Sequence, residues 1–172
     1  NVTENNASYT ADDGVLFSKD KTVILRYPCA KAGTSYTIPD TVREIWTSAF
    51  SNTKLTDVTF PDGLLYIDDW AFSYAALESL ELPDSLLEIG QDAFAYCEGL
   101  TDVAFPSSLE LIEAEAFAAC ENLTNISLPD GLQTDMPEWQ PQRKQCLQCG
   151  WSWPASDQPG SNGHCLRRPY CR

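Results

Sequence analysis

Apolar residues return along this chain at fixed intervals of 22 or 23 positions. An Ala-Phe pair stands at 49–50, 71–72, 93–94 and 116–117. An apolar residue followed by proline stands at Ile38-Pro39, Phe60-Pro61, Leu82-Pro83, Phe105-Pro106 and Leu128-Pro129. Ile45, Ile67, Ile89 and Ile112 form a third register, and Leu55, Leu77, Leu100 and Leu123 a fourth. Four registers held in phase define a repeat, and a period of this length is the mark of stacked supersecondary units.

Each unit has its own internal pattern. The segments "LTDVTFP", "LESLELP", "LTDVAFP" and "LTNISLP" alternate apolar and polar residues near their ends. A period of two predicts a short strand with one buried face. Proline closes the strand because it has no N–H to give a ladder. "PDG" or "PDS" then predicts a turn, with Asp able to bond nearby backbone. The Leu and Ile that follow are expected to point inward. "DDWAF", "GQDAF" and "EAEAF" predict a single helical turn, in which Ala allows close approach and Phe fills the core. No such unit can bury its apolar side alone. Stacking the units buries it, giving a solenoid whose parallel strands lie about 4.8 Å apart.

The stretch "IPDTVREIWTSAFSNTKLTDVTFPDGLLYIDDWAF" resembles the BspA-like class of leucine-rich repeats. Its pattern is Ile-x-x-x-Ala-Phe, often a Cys, then Leu-x-x-Ile-x-Leu-Pro. "DGVLFSKDKTVILRYPCAKAGTSYTIP" resembles a further segment common in that family, a β-hairpin leading into the first coil. The likeness covers residues 12–134. It implies a secreted or cell-surface protein that serves in adhesion and protein binding and is not an enzyme.

The expected fold is therefore an α/β repeat solenoid, a right-handed leucine-rich coil of about five turns with a parallel strand ladder. The chain divides into an N-terminal extension (1–11), the solenoid (12–134, opening with a hairpin over 12–33) and a Cys-, Trp- and Pro-rich C-terminal end (135–172). The repeat breaks after Leu132, where Asp135 stands near the position that the register reserves for an apolar residue. Three readings of the end stay open: a disulfide-linked cap for the solenoid, a small independent module, or an extension. The cap is preferred, because terminal repeats need special closure.

Charge narrows the partners. Residues 1–136 carry 6 Lys/Arg against 23 Asp/Glu, and residues 137–172 carry 5 against 2. An acidic body argues against a nucleic-acid partner, whose phosphates need clustered Lys and Arg. No apolar run reaches the length needed to span a membrane. The first residue is Asn1, which fits a processed chain. Four N-glycosylation sequons begin at Asn1, Asn6, Asn122 and Asn125. Together with a tail holding four of the seven cysteines, they favour an oxidising, extracellular setting.

Candidate chemistry is sparse. Cys146, Cys149, Cys165 and Cys171 could hold zinc, but the second pair is spaced by five residues, and two disulfides fit an extracellular chain better. "CLQC" lacks the strand and helix start of a redox-active pair. Cys97 and Cys120 share one register just after the Phe. Their side chains should point the same way into the core, so buried thiols are expected there rather than a disulfide, and the family likeness implies the same. Asp40, Asp62, Asp84 and Asp130 follow the prolines, with Ser107 in the fourth unit. Such a column could bind calcium, yet it lacks the Asn- and Gly-rich loops of calcium sites and reads better as a repeated turn residue. The lone histidine, His164, lies in the tail and completes no nucleophile–base set with the repeats. No metal, cofactor or catalytic residue is assigned.

The outward positions of the pre-proline strands are the expected binding surface. They form two rows, Asp57, Ser79, Asp102 and Asn125, and Thr59, Glu81, Ala104 and Ser127. A small, polar, acidic face of this kind could receive a basic protein segment or a sugar. The expected function is an extracellular, non-enzymatic binding or adhesion module. The alternative is a structural subunit whose two solenoid ends stack head to tail into a filament or surface layer.

Overall fold

The structure is a computed structural model that describes residues 2–3, 5–129 and 132–134. Twelve short strands are assigned among them: β1 (Tyr9–Asp12), β2 (Val15–Ser18), β3 (Val23–Arg26), β4 (Ser35–Thr37), β5 (Glu44–Ile45), β6 (Asp57–Thr59), β7 (Tyr66–Ile67), β8 (Glu88–Ile89), β9 (Asp102–Ala104), β10 (Leu111–Ile112), β11 (Asn125–Ser127) and β12 (Gln133–Thr134). There is no helix among the described residues. The α component of the expected α/β class is thus corrected: this is an all-β solenoid of about five coils.

The principal ladder runs β1-β2-β3-β5-β7-β8-β10-β12. β1, β2 and β3 pair antiparallel. From β3 onward every partner is parallel, with Ile24, Ile45, Ile67, Ile89 and Ile112 in one register. Isoleucine suits this position because its branched side chain packs well on a pleated, buried surface. The longest continuous ladder is therefore built on the Ile register and not on the pre-proline segments. Those segments form two separate parallel pairs, β4 with β6 and β9 with β11. Between them, Ser79–Glu81 makes only the single bridge Glu81–Ala104. This third unit reads "LESLELP", with Leu80 where its neighbours place Val58 and Val103, and Ser, Glu and Leu favour strand less than Val and Thr.

The Ala-Phe corner forms tight turns where a helical turn was expected. In each coil the residue before Ala and the second residue after Phe have left-handed backbone. The first set is Ser48, Trp70, Asp92 and Glu115, and the second Asn52, Tyr74, Tyr96 and Ala119, all with φ between 53° and 61°. A residue at such a φ ends right-handed helix, so the α pattern never propagates. The N–H groups released in this way bond between coils. Phe50, Phe72 and Phe94 donate to the carbonyls of Ala71, Ala93 and Ala116 at 2.7 Å. The corner is a third inter-coil ladder, which accounts for the repetition of the Ala-Phe pair.

Phenylalanine fills the centre. Phe50 stacks on Phe72 at 4.7 Å, Phe72 on Phe94 at 5.2 Å and Phe94 on Phe117 at 5.1 Å, with interplanar angles of 7°, 3° and 12°. Tyr27 continues the stack onto Phe50 at the N-terminal end, at 5.3 Å. Phe60 and Phe105, the residues before proline, meet the stack edge-on at 5.7 and 5.4 Å. Both arrangements match the quadrupole preference of aromatic rings. The Leu register (Leu55, Leu77, Leu100, Leu123) and Leu64 and Leu86 complete the buried core.

Candidate binding surface

The coil presents two long sides. One carries the two polar rows expected from the sequence. Asp57 and Thr59 lie on β6, Asp102 on β9, and Asn125 and Ser127 on β11, all exposed and in register. Ser79 and Glu81 are exposed between them, on the segment that is not a regular strand. The sheet is interrupted here, so this side is not one continuous ladder. Asn125 Nδ2 donates to Asp102 Oδ1 at 2.6 Å, and this bond, with one from Thr101, holds Asp102 below the usual carboxylate range. Two of the polar residues thus bond each other.

The other side carries a feature that the sequence reading missed. Outward residues of the principal ladder form two columns, Glu44, Tyr66, Glu88 and Leu111, and Trp46, Asp68, Gly90 and Glu113. The adjoining turn column is Ser48, Trp70, Asp92 and Glu115. Three large aromatic side chains stand out from these columns: Trp46 is 48% exposed, Tyr66 39% and Trp70 41%. Soluble surfaces rarely group exposed aromatics without a use for them. Each sits in a different register, where the other coils place acidic or small residues and, in the Tyr66 column, Leu111. No repeat pattern marks them. The available signal was a bulky ring close to an inward Ile: Trp46 and Tyr66 are adjacent to Ile45 and Ile67, and Trp70 stands three residues past Ile67.

Backbone bonds fix the relation of these groups. Trp46 N–H donates to Ile24 O at 3.0 Å, and Asp68 N–H to Ile45 O at 2.9 Å, so Asp68 follows Trp46 one coil along the column. Tyr66 precedes Asp68 by two residues and Trp70 follows it by two. Asp68 thus lies one coil on from Trp46 and two residues from both Tyr66 and Trp70 along the chain. Its carboxyl is pushed up to about 6, first by burial and then by Glu44, Asp69 and Glu88, against a bond from the Thr47 N–H. Asp69 Oδ1 accepts the Gln91 N–H at 2.9 Å, shared with Glu113 Oε2 at 3.0 Å. At Gly90 a Cβ would lie 2.7 Å from Asp69 N, so only glycine lets the next coil close on the Asp68–Asp69 pair.

Other singled-out residues have their own settings. Tyr74 and Tyr96 stack at 4.4 Å and 3° on the Ala-Phe corner, both exposed. Cys97 and Cys120 are buried in one register as expected. Their Sγ atoms contact the carbonyls of Phe72 and Phe94, each at 3.2 Å, and burial pushes the Cys97 thiol up. Cys29 is half-buried, its Sγ 3.3 Å from Ser51 O. Asn6 Oδ1 accepts from the Ser8 and Tyr9 N–H groups at the start of β1. Asn122 Nδ2 donates to Glu98 O at 2.7 Å. Asp40, Asp62, Asp84 and Ser107 are exposed turn residues. Among the described residues no group of three His, Cys, Asp or Glu is placed to hold a metal ion, and no helix is long and apolar enough to cross a membrane. Asn1, Asp130, His164 and the candidate disulfide residues Cys146, Cys149, Cys165 and Cys171 lie outside the described residues.

Similar solved structures come from bacterial leucine-rich repeat proteins, one of them a cell surface protein. A leucine rich cell surface protein from Faecalibacterium prausnitzii A2-165 is 32% identical, with a TM-score of 0.70, over 74% of this chain and 35% of its own. A leucine-rich repeat protein from Eubacterium ventriosum ATCC 27560 is 27% identical, with a TM-score of 0.60, over 76% of this chain and 42% of its own. The pneumococcal vaccine antigen PcpA, at 23% identity and a TM-score of 0.54, shares the fold. The chain therefore spans well under half the length of each of these proteins. No curated protein matches it. The sequence model of the BspA type leucine rich repeat region matches residues 27–136 in 6 copies. This match covers most of the chain, which belongs to the BspA type leucine-rich repeat family.

Proposed function

We propose that this chain is a non-enzymatic binding module of an extracellular, cell-surface protein, and that it engages a protein partner through the principal-ladder side of the solenoid. Family membership and the similar leucine rich cell surface protein support the module and its location. The observation that carries the choice of side is the group Trp46, Tyr66 and Trp70, exposed on a continuous ladder. Aromatic residues dominate the energetic centres of protein interfaces. The polar rows at Asp57, Thr59, Ser79, Glu81, Asp102, Asn125 and Ser127 lie on the opposite side and stand outside this surface; Asn125 and Asp102 among them bond each other. Glycans at the Asn6, Asn122 and Asn125 sequons would leave the ladder side open, because none of the three lies in its columns.

Head-to-tail assembly is the alternative, and the opposite charges of the body and of residues 137–172 favour it. Static light scattering of the native chain over a concentration series separates the two readings. A single mass at all concentrations supports the module. Mass that grows with concentration, with regular chains in negative stain, replaces it with the filament.

A further inference from the structure

We infer that Asp68 and the exposed aromatic group on its side of the coil take a lysine or arginine side chain from a basic segment of the partner protein. The inference rests on the module reading above and adds the chemistry of the partner. A cation over a tryptophan or tyrosine face is attracted by the ring, and a carboxylate beside it adds charge-assisted hydrogen bonding. Trp46, one coil before Asp68 in its column, and Tyr66 and Trp70, two residues to either side of it in the chain, supply exposed rings, and Asp68 supplies the carboxylate.

Charge complementarity selects the occupant. Residues 44–134 carry 17 Asp/Glu and a single cation, Lys54. Lys54 belongs to the segment between Phe50 and Leu55, on the Ala-Phe corner and away from the ladder columns. Arg43 is next to Glu44 in sequence, but its guanidinium is held elsewhere. Nη1 donates to Asp40 O at 2.7 Å and to Val42 O at 2.9 Å, over Gly63. Among the described residues the ion pairs Lys21–Asp12 and Lys31–Asp13 lie in the N-terminal hairpin region, before the first coil. Arg26 of the hairpin reaches the edge of this side, but its guanidinium is bonded to Ser48 O at 2.7 Å. Residues 44–134 thus place Glu44, Asp68, Asp69 and Glu88 together on this side with no Lys or Arg of their own in its columns. Burial first, and then that crowding, pushes the Asp68 carboxyl up, and an incoming cation relieves the crowding.

The test uses the full chain and a fluorescein-labelled (Arg-Gly)6 peptide, read by fluorescence anisotropy at pH 7.5 in moderate salt. The expected result is saturable binding. Trp46→Ala and Trp70→Ala should each weaken it about 5- to 30-fold, in line with one cation–π contact. Asp68→Asn should weaken it by a similar factor. Asp57→Asn/Asp102→Asn removes two charges from the other side and should leave binding unchanged. Thermal melts establish that each variant folds, and Tyr66→Leu provides a further exposed substitution should one of the others not fold.

The inference would be overturned by no binding by the wild-type chain, by equal losses from the ladder-side and far-side charge variants, or by equal binding of the uncharged citrulline analogue of the peptide. Competition by a neutral oligosaccharide that depends on the tryptophans but not on Asp68 would overturn it in favour of a glycan. If the peptide fails while a whole protein partner still binds the chain, the inference fails and the module reading survives. If neither binds, both fail.

Discussion

Replacing Phe72 tests the account of what holds the coils together. Phe72 is fully buried at the centre of the ring stack, 4.7 Å from Phe50 and 5.2 Å from Phe94, with the edge of Phe60 at 5.7 Å. Phe→Ala in a packed core costs about 3–5 kcal/mol. Three ring contacts, each worth roughly 0.5–1.5 kcal/mol beyond area burial, place Phe72→Ala at the upper end of that range. Phe117 has one stacked and one edge neighbour and is slightly exposed, so Phe117→Ala should cost less, about 2–3 kcal/mol. Coils touch only their neighbours, so a gap in the middle weakens the array more than a gap near its end. Urea denaturation followed by far-UV circular dichroism gives both values by linear extrapolation. A loss of under about 1 kcal/mol for Phe72→Ala, or equal losses at the two positions, would refute the stack as the main source of cohesion.

Four further outcomes follow from particular residues. Gly90→Ala should destabilise the chain by about 1–3 kcal/mol, because the new Cβ falls 2.7 Å from Asp69 N and the coils must separate; an unchanged urea midpoint would contradict this. Glu115→Gly should stabilise it by up to about 1 kcal/mol, since relief of a left-handed residue at φ 61° outweighs the added chain entropy; a lower melting temperature would count against the strain assignment. Asp68 has a raised carboxyl, so the folded state binds its proton more tightly than the unfolded state does. Stability should therefore fall as pH rises from about 4 to about 6, and Asp68→Asn should flatten that slope, which pH-dependent melts can follow. The depressed carboxyls of Asp12, Asp20 and Asp102 act in the opposite sense and at lower pH. Alkylation of the native chain without reduction should modify Cys29 but not Cys97 or Cys120, and should spare the tail cysteines if they are disulfide-linked; four modified tail cysteines would remove the disulfide cap.

Much of the fold was legible because each repeated apolar residue has one physical task. The Ala-Phe pairs, the Ile and Leu registers and the residues before proline nearly all enter the core where the period places them. The corner was misread for a definite reason. Ala-rich segments such as "EAEAF" favour helix locally, but most of the left-handed residues that forbid it, Ser48, Trp70 and Glu115 in the first set and Tyr74, Tyr96 and Ala119 in the second, are of types that carry no left-handed signal of their own. Only Asp92 and Asn52 belong to types enriched there. The ladder was also sought in the longer pre-proline segments. The two-residue pairs Glu44–Ile45 and Tyr66–Ile67 are too short to show a period of two, yet they pair without interruption. The exposed aromatic group escaped for the complementary reason. Repeats advertise what every coil shares, whereas Trp46, Tyr66 and Trp70 are departures from their registers. The acidic surplus was visible in composition, but its concentration around Asp68 appears only when the coils stack.

The most direct test of the account is a comparison of sides with whole proteins as ligands. The native chain, a Trp46→Ala/Tyr66→Ala/Trp70→Ala variant and an Asp57→Asn/Ser79→Ala/Asp102→Asn variant would be immobilised and exposed to one panel of soluble extracellular proteins by biolayer interferometry. The account predicts saturable binding to at least one basic member of the panel. That binding should be lost from the aromatic variant and kept by the polar-row variant. Loss from the polar-row variant with the aromatic variant intact would contradict it and return recognition to the other side of the coil.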